Sequence, residues 1–165
     1  MAALGALQPG DEVIALSRVF DAPRELVFEA FTRPEHLAQF WGPRGMDNVA
    51  CTVDLRVGGV FRVDVRGPDG RIYPATGVYR EIVPPERLVY AATTTDDNPC
   101  GAGLPPRSIV TLRFEAQGSK TRLTVHAQLQ SRADVEAAIA GGFNRGWEDS
   151  FDRLKELLAK IPPSS

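Results

Sequence analysis

Between residues 60 and 67 the chain reads VFRVDVRG, with Phe61, Val63 and Val65 alternating against Arg62, Asp64 and Arg66. A period of two marks a strand with one buried face. Related patterns recur in VIALSRVF (13–20), NVACTVDL (48–55), RIYPATGVYREIV (71–83), RLVYAATTT (87–95), SIVTLRFEA (108–116) and KTRLTVHAQLQ (120–130). In the last of these Leu123, Val125, Ala127 and Leu129 alternate with Thr124, His126 and Gln128. Between the later strands lie turn residues: Gly58-Gly59, Pro68-Asp69-Gly70, Pro84-Pro85-Glu86 and Gln117-Gly118-Ser119. Connections this short predict an antiparallel meander. Pro74 cannot donate to a ladder, so it predicts a local edge or a bulge in its strand.

Three stretches carry the helical period instead. DAPRELVFEAFT (21–32) has Asp21 ahead of it, Pro23 in its first turn, and Val27, Phe28 and Phe31 on one face. TRPEHLAQFWGP (32–43) predicts a second short helix that Gly42-Pro43 ends. Thr32 and Glu35 there have capping-box spacing, and Leu37, Phe40 and Trp41 form an apolar face. Neighbouring helix positions diverge by about 100°, so Phe40 and Trp41 cannot point the same way. We expect Phe40 or Leu37 to anchor the helix in the core and Trp41 to roof a pocket mouth.

From Ser131, with Asp134 as its capping partner, Val135, Ile139, Phe143, Trp147, Phe151, Leu154, Leu158 and Ile161 recur at spacings of four and three. They predict one long helix of about seven turns, stopped by Pro162-Pro163. Gly142 and Gly146 fall inside it, which implies close packing on the sheet or a thinned helix over a cavity. The pattern as a whole predicts an α+β fold: a curved antiparallel sheet of six or seven strands, two short helices after the first strand, and a long C-terminal helix across the sheet. Residues 1–12 read as a flexible lead-in, 13–161 as a single domain and 162–165 as a tail. TDDNPCGAGLPP (95–106) reads as a long loop, of the kind that often serves as a lid or binding loop.

Length and charge narrow the function classes. A chain of 165 residues has room for one core without staples. A net charge of −2 and the lack of a basic run argue against nucleic-acid binding. No apolar run reaches the length of a membrane span. The first residues lack a basic signal-peptide region, and two cysteines make no disulfide framework. We expect a cytoplasmic protein, a monomer or a homodimer through an exposed sheet edge.

Most candidate chemistry reduces to ordinary structure. His36 and His126 are the only histidines, too few for a metal site without converging partners. Cys51 reads as a small core residue and Cys100 as a loop thiol, neither with an activating base. The glycines of RVGG and GPDG lack the spacing of a phosphate loop. No cofactor motif is present.

The stretches RVFDAPRELVFEAFT (18–32), WGP (41–43), DLRVGGVFRVDVRGPDG (54–70), GVYREIVPPERLVY (77–90), VTLRFE (110–115) and GWEDSFDRLKELL (146–158) together resemble one family. The chain is similar to bacterial proteins related to the activator of the ninety-kilodalton heat-shock protein's ATPase, within the START-like, helix-grip superfamily. That superfamily includes lipid carriers, hormone receptors, polyketide cyclases and co-chaperone domains. The resemblance implies a helix-grip fold whose sheet and long helix enclose a hollow for an apolar or amphipathic small molecule. Trp41, Phe61, Tyr79, Tyr90, Phe114, Phe143, Trp147 and Phe151 are then the expected ligand-binding set, around a cavity of roughly 300–1,000 Å³. Buried tyrosine hydroxyls need partners, which also favours a pocket. A chaperone partner is the alternative, and a cyclase- or hydratase-like activity the third. For that third case Glu81, pointing inward near Tyr79 with a raised pKa, is the candidate general acid.

Overall fold

The computed structural model describes residues 13–42, 45, 47–93 and 107–161. The expected lead-in, the 95–106 loop with Cys100, and the tail lie outside the described residues. Seven strands form one antiparallel sheet: β1 (Val13–Phe20), β2 (Asp47–Val53), β3 (Val60–Arg66), β4 (Ile72–Val83), β5 (Arg87–Ala92), β6 (Ile109–Gln117) and β7 (Lys120–Gln128). Their order is β1-β7-β6-β5-β4-β3-β2. From β2 to β7 the chain is a meander, and β1 closes onto β7 with Leu16 opposite Val125. The sheet curls into a half-barrel. Two short helices, α1 (Arg24–Thr32) and α2 (Pro34–Phe40), carry the chain from β1 at one edge to β2 at the other.

Alternation builds the inner face. Phe61, Val63 and Val65 of β3, Ala75 and Tyr79 of β4, Leu88 and Tyr90 of β5, Val110, Leu112 and Phe114 of β6, and Leu123, Val125 and Ala127 of β7 are all buried. Their polar neighbours stand on the outer face. Registers bring inner residues side by side, as with Tyr79 opposite Tyr90 and Phe114 opposite Leu123. Pro74 pairs with Asp64 of β3, whereas β5 first meets β4 at Gly77. Among the described residues Pro74 thus stands where β4 has a neighbour on one side only.

The helices depart from expectation in two places. Thr32 is the last residue of α1, and its hydroxyl donates to the Phe28 and Glu29 carbonyls. It does not cap α2, whose N-cap is Arg33 with Pro34 at the first position. The capping box fails because the chain turns at Arg33, in extended conformation, one residue later than the spacing implies. The long C-terminal helix is in fact two: α3 (Arg132–Ala140) and α4 (Phe143–Lys160). Ser131 caps α3 as expected, accepting from the Asp134 amide at 3.1 Å. Gly142 then takes φ +99°, a left-handed conformation that glycine adopts without a steric penalty and that ends α3. The break turns Ile139 out to solvent, so the apolar stripe over the sheet belongs to α4. It runs through Phe143, Trp147, Phe151, Leu154 and Leu158.

β1 is fastened to α4 by Arg18. Its guanidinium donates to Asp152 Oδ1 and Glu148 Oε1, both at 2.6 Å, and lies 5.2 Å from the centre of the Phe151 ring. No helix among the described residues is long and apolar enough to cross a membrane.

Candidate functional site

The inner faces of β3, β4 and β5 carry the polar end of the interior. Phe61, Tyr79 and Tyr90 stand on adjacent strands with ring centres 5.4 Å (Phe61–Tyr79) and 4.8 Å (Phe61–Tyr90) apart. Gly77 lies directly opposite Phe61 in the register. A Cβ on it would sit 2.7 Å from Phe61 Cε2, so the ring lies on bare backbone. The facing wall comes from the helices: Phe31 of α1, Leu37 of α2, and Trp41 just past the end of α2. These six side chains line a partly open cavity of about 10 Å³.

That space is about one water molecule's worth. The expected cavity of several hundred cubic ångströms is absent at this position because the rings fill it. Trp41 is buried and wedges edge-on between Phe61 (6.2 Å) and Trp147 (5.5 Å). Phe40, next in sequence, points to the other side and packs on Phe31 at 4.9 Å.

Of the expected ligand-binding set, Trp41, Phe61, Tyr79 and Tyr90 line the cavity. Phe114, Phe143, Trp147 and Phe151 do not. Phe114 packs on Phe28 and Phe31, and Phe143, Trp147 and Phe151 form a row along α4 that ends on Phe20. Phe31 and Leu37 were missed. Both lie on helical faces that read as plain core, and only the crossing of α1 and α2 over the sheet turns them toward the tyrosines.

The lining holds no charge. Burial drives the phenol of Tyr90 well above the ordinary tyrosine range, with Tyr79 adding to the shift. Tyr79 is raised mainly by burial and further by Cys51 and Asp54. Cys51, half-buried on β2, is pushed up to about 11 by burial, so its thiol stays protonated at neutral pH. The Tyr90 hydroxyl has no hydrogen-bond partner although it is fully buried. An unmet buried hydroxyl costs about 1–3 kcal/mol. What this arrangement offers chemically is a neutral donor at the end of an apolar slot.

Glu81 is a correction. Simple alternation places residues 79 and 81 on one face, but the register shifts between them. A bulge adds one residue and reverses which face follows. Glu81 therefore pairs opposite Val89 on the outer face, where Arg87 Nε and Nη2 donate to its two oxygens at 2.7 and 3.1 Å. That bonding to Arg87 lowers its pKa, the reverse of what a general acid at neutral pH requires. Among the described residues no three His, Cys, Asp or Glu side chains converge as a metal site.

Comparison with known proteins places this geometry. The family model described as activator of Hsp90 ATPase homolog 1-like protein matches residues 21–159. The chain belongs to that family. Its fold agrees with solved structures of bacterial relatives. A Rhodobacter sphaeroides protein superposes with TM-score 0.80 at 24% identity, over 94% of this chain and 97% of that one. A Nitrosomonas europaea protein gives 0.78 at 26% identity, over 90% and 94%. The AHSA1 protein of Silicibacter pomeroyi gives 0.72 at 24% identity, over 90% and 98%. No curated protein matches the chain. Family and fold together fit a ligand-binding or activator-like domain, and the residues around Tyr90 bear on which.

Proposed function

We propose that the protein binds an uncharged, largely apolar small molecule in the slot between β3–β5 and Trp41. The observation that carries this reading is the buried Tyr90 hydroxyl, without a partner, beside a cavity whose lining is uncharged and mostly aromatic. A ligand carrying one acceptor, such as a carbonyl or ether oxygen, would satisfy it and remove the cost of the orphaned donor. Charged ligands are disfavoured because the lining offers no counter-ion and burying a lone charge is prohibitive. The ligand takes up its room by displacing the Trp41 side, since the cavity as it stands has room for about one water molecule.

The test is native mass spectrometry of protein purified gently from its own host, joined to titration with Nile red, an uncharged dye with a ring carbonyl. We expect a retained neutral compound, and saturable dye binding that Tyr90→Phe weakens about five- to tenfold, the worth of one hydrogen bond. An empty protein with no saturable dye binding would overturn the reading.

A second reading is contact with a chaperone of the Hsp90 type. It is favoured by the family description and by the exposed apolar side chains of Leu55, Val57 and Val60 around the β2–β3 connection. Stimulation of a purified chaperone's ATPase by this protein, abolished by Val57→Asp, is its expected signature; an unchanged ATPase rate removes it.

A further inference from the structure

The six cavity-lining residues are held in two different ways. Phe61, Tyr79 and Tyr90 stand on strands hydrogen-bonded into the sheet. Leu37 and Trp41 belong to a seven-residue helix and the residue that ends it. That segment is fastened by side chains of other elements reaching its backbone. Asn48 Nδ2 of β2 donates to the Ala38 and Trp41 carbonyls at 2.6 and 2.8 Å. The Gly42 amide donates to Ser150 Oγ at 2.9 Å, and the same hydroxyl donates back to the Gly42 carbonyl at 3.3 Å. Arg153 Nη1 donates to the Trp41 and Gly42 carbonyls at 3.2 Å, and Nη2 to the Gln39 carbonyl at 3.1 Å. Gly42 itself is left-handed, φ +92°, so the chain turns sharply at the one residue that Ser150 and Arg153 both grip.

We propose that α2 through Gly42 is a hinged wall of the cavity, and that Ser150 and Arg153 of α4, with Asn48, set how readily it opens. The inference rests on the small-molecule reading for its purpose, though not for its mechanics. When the wall swings out, Leu37 and Trp41 leave together and the face of Phe61, Tyr79 and Tyr90 is uncovered. The sheet does not move. The polar clamp has to be broken and remade, and it closes at a defined position because three side chains from two elements, β2 and α4, meet on the carbonyls of Ala38, Gln39, Trp41 and Gly42. Ser150 and Arg153 are positioning residues: they touch the wall's backbone and not the cavity.

The test uses residue-resolved amide hydrogen exchange on the full-length, ligand-free protein and on Ser150→Ala and Arg153→Met. Arg153→Met keeps the aliphatic stem and changes a partly exposed side chain, so it folds even if loss of the buried Ser150 hydroxyl proves too disruptive. Expected is exchange faster by about tenfold, the worth of one hydrogen bond, at the amides of Leu37, Trp41 and Gly42. The amides of β3, β4 and β5 should keep their rates. Arg153→Lys should recover part of the protection. Faster exchange everywhere would mean ordinary destabilisation and would overturn the hinge, as would unchanged exchange at α2. Nile red association is then followed by stopped flow. A faster on-rate in Arg153→Met supports the hinge as the way in, and an unchanged on-rate in a protein that binds the dye overturns it. Selective loosening of α2 in a protein that binds no dye instead removes the small-molecule reading and leaves the hinge standing.

Discussion

Around Phe151 each ring is backed by another: Phe20 at 5.9 Å on one side, Trp147 at 5.7 Å on the other, and the Arg18 guanidinium over its face. Around Tyr90 the rings are as closely spaced, yet they leave a gap and an unmet hydroxyl. The two clusters meet where Trp41 touches Trp147. The difference lies in what covers them. The Phe151 cluster lies under an eighteen-residue helix whose apolar side is continuous, whereas the Tyr90 cluster lies under a seven-residue helix clamped by side chains. The first half of the interior is packed ring on ring; the second holds a buried hydroxyl without a partner.

Truncation should separate the halves most strongly. Phe151→Ala removes a fully buried ring from the closed cluster and should cost roughly 3–5 kcal/mol in urea unfolding. Dye binding near Tyr90 should survive in whatever fraction stays folded. A cost below about 1 kcal/mol would mean that the cluster relaxes as freely as a loose one, and the contrast would collapse.

Next in size is Gly77→Ala. The added methyl meets Phe61 at 2.7 Å and the Ala91 carbonyl at 3.2 Å. Phe61 has to move toward the cavity, and overpacking of this kind costs about 1–3 kcal/mol. Because the space is so small, the variant should also lose dye affinity. Full affinity with lowered stability would show that the ligand lies elsewhere.

How much of this contrast was legible in the sequence depends on which periodicity carried it. Alternation puts Phe61, Val63 and Val65 on one face, and all three are buried; Tyr79 and Tyr90 enter only through the resemblance to the helix-grip fold, and they too are buried. Two features could not be read. The bulge after Tyr79 has no residue signature in TGVYREIV, so alternation ran on and turned Glu81 inward on paper. The break at Gly142 was visible as a glycine, but a continuous spacing of four and three across it argued for one helix. The cavity's helical wall escaped for a different reason. Phe31 and Leu37 occupy ordinary core positions, and their meeting with β3–β5 depends on how α1 and α2 cross the sheet. The clamp was likewise out of reach: Ser150 and Arg153 stand more than a hundred residues from the backbone they bind, and the bonds of Asn48 to the Ala38 and Trp41 carbonyls follow no local spacing rule.

Tyr90→Phe is a smaller change with an informative sign. Removing a hydroxyl that has a partner usually destabilises a protein. Here the hydroxyl has none, so the variant should be more stable by about 1 kcal/mol in the absence of ligand. A loss of stability would show that the hydroxyl is bonded in solution, by a water in the small cavity, and the case for an acceptor-bearing ligand would weaken with it.

The gentlest probe is alkaline titration of Tyr73→Phe, which leaves Tyr79 and Tyr90 as the only tyrosines. Both phenols are raised in the folded chain, first by burial. The unfolded chain releases those protons at about pH 10. Above that value the folded state holds protons that the unfolded state has lost, so stability falls as pH rises. Phenolate absorbance should therefore appear only together with unfolding, as one transition followed equally by circular dichroism. If one tyrosine ionises while the fold persists, the Trp41 wall opens often enough to admit hydroxide. On the proposed hinge, Arg153→Met should then bring that ionisation on at a lower pH and widen its separation from the unfolding step, because the clamp would set how often the Tyr90 side is uncovered.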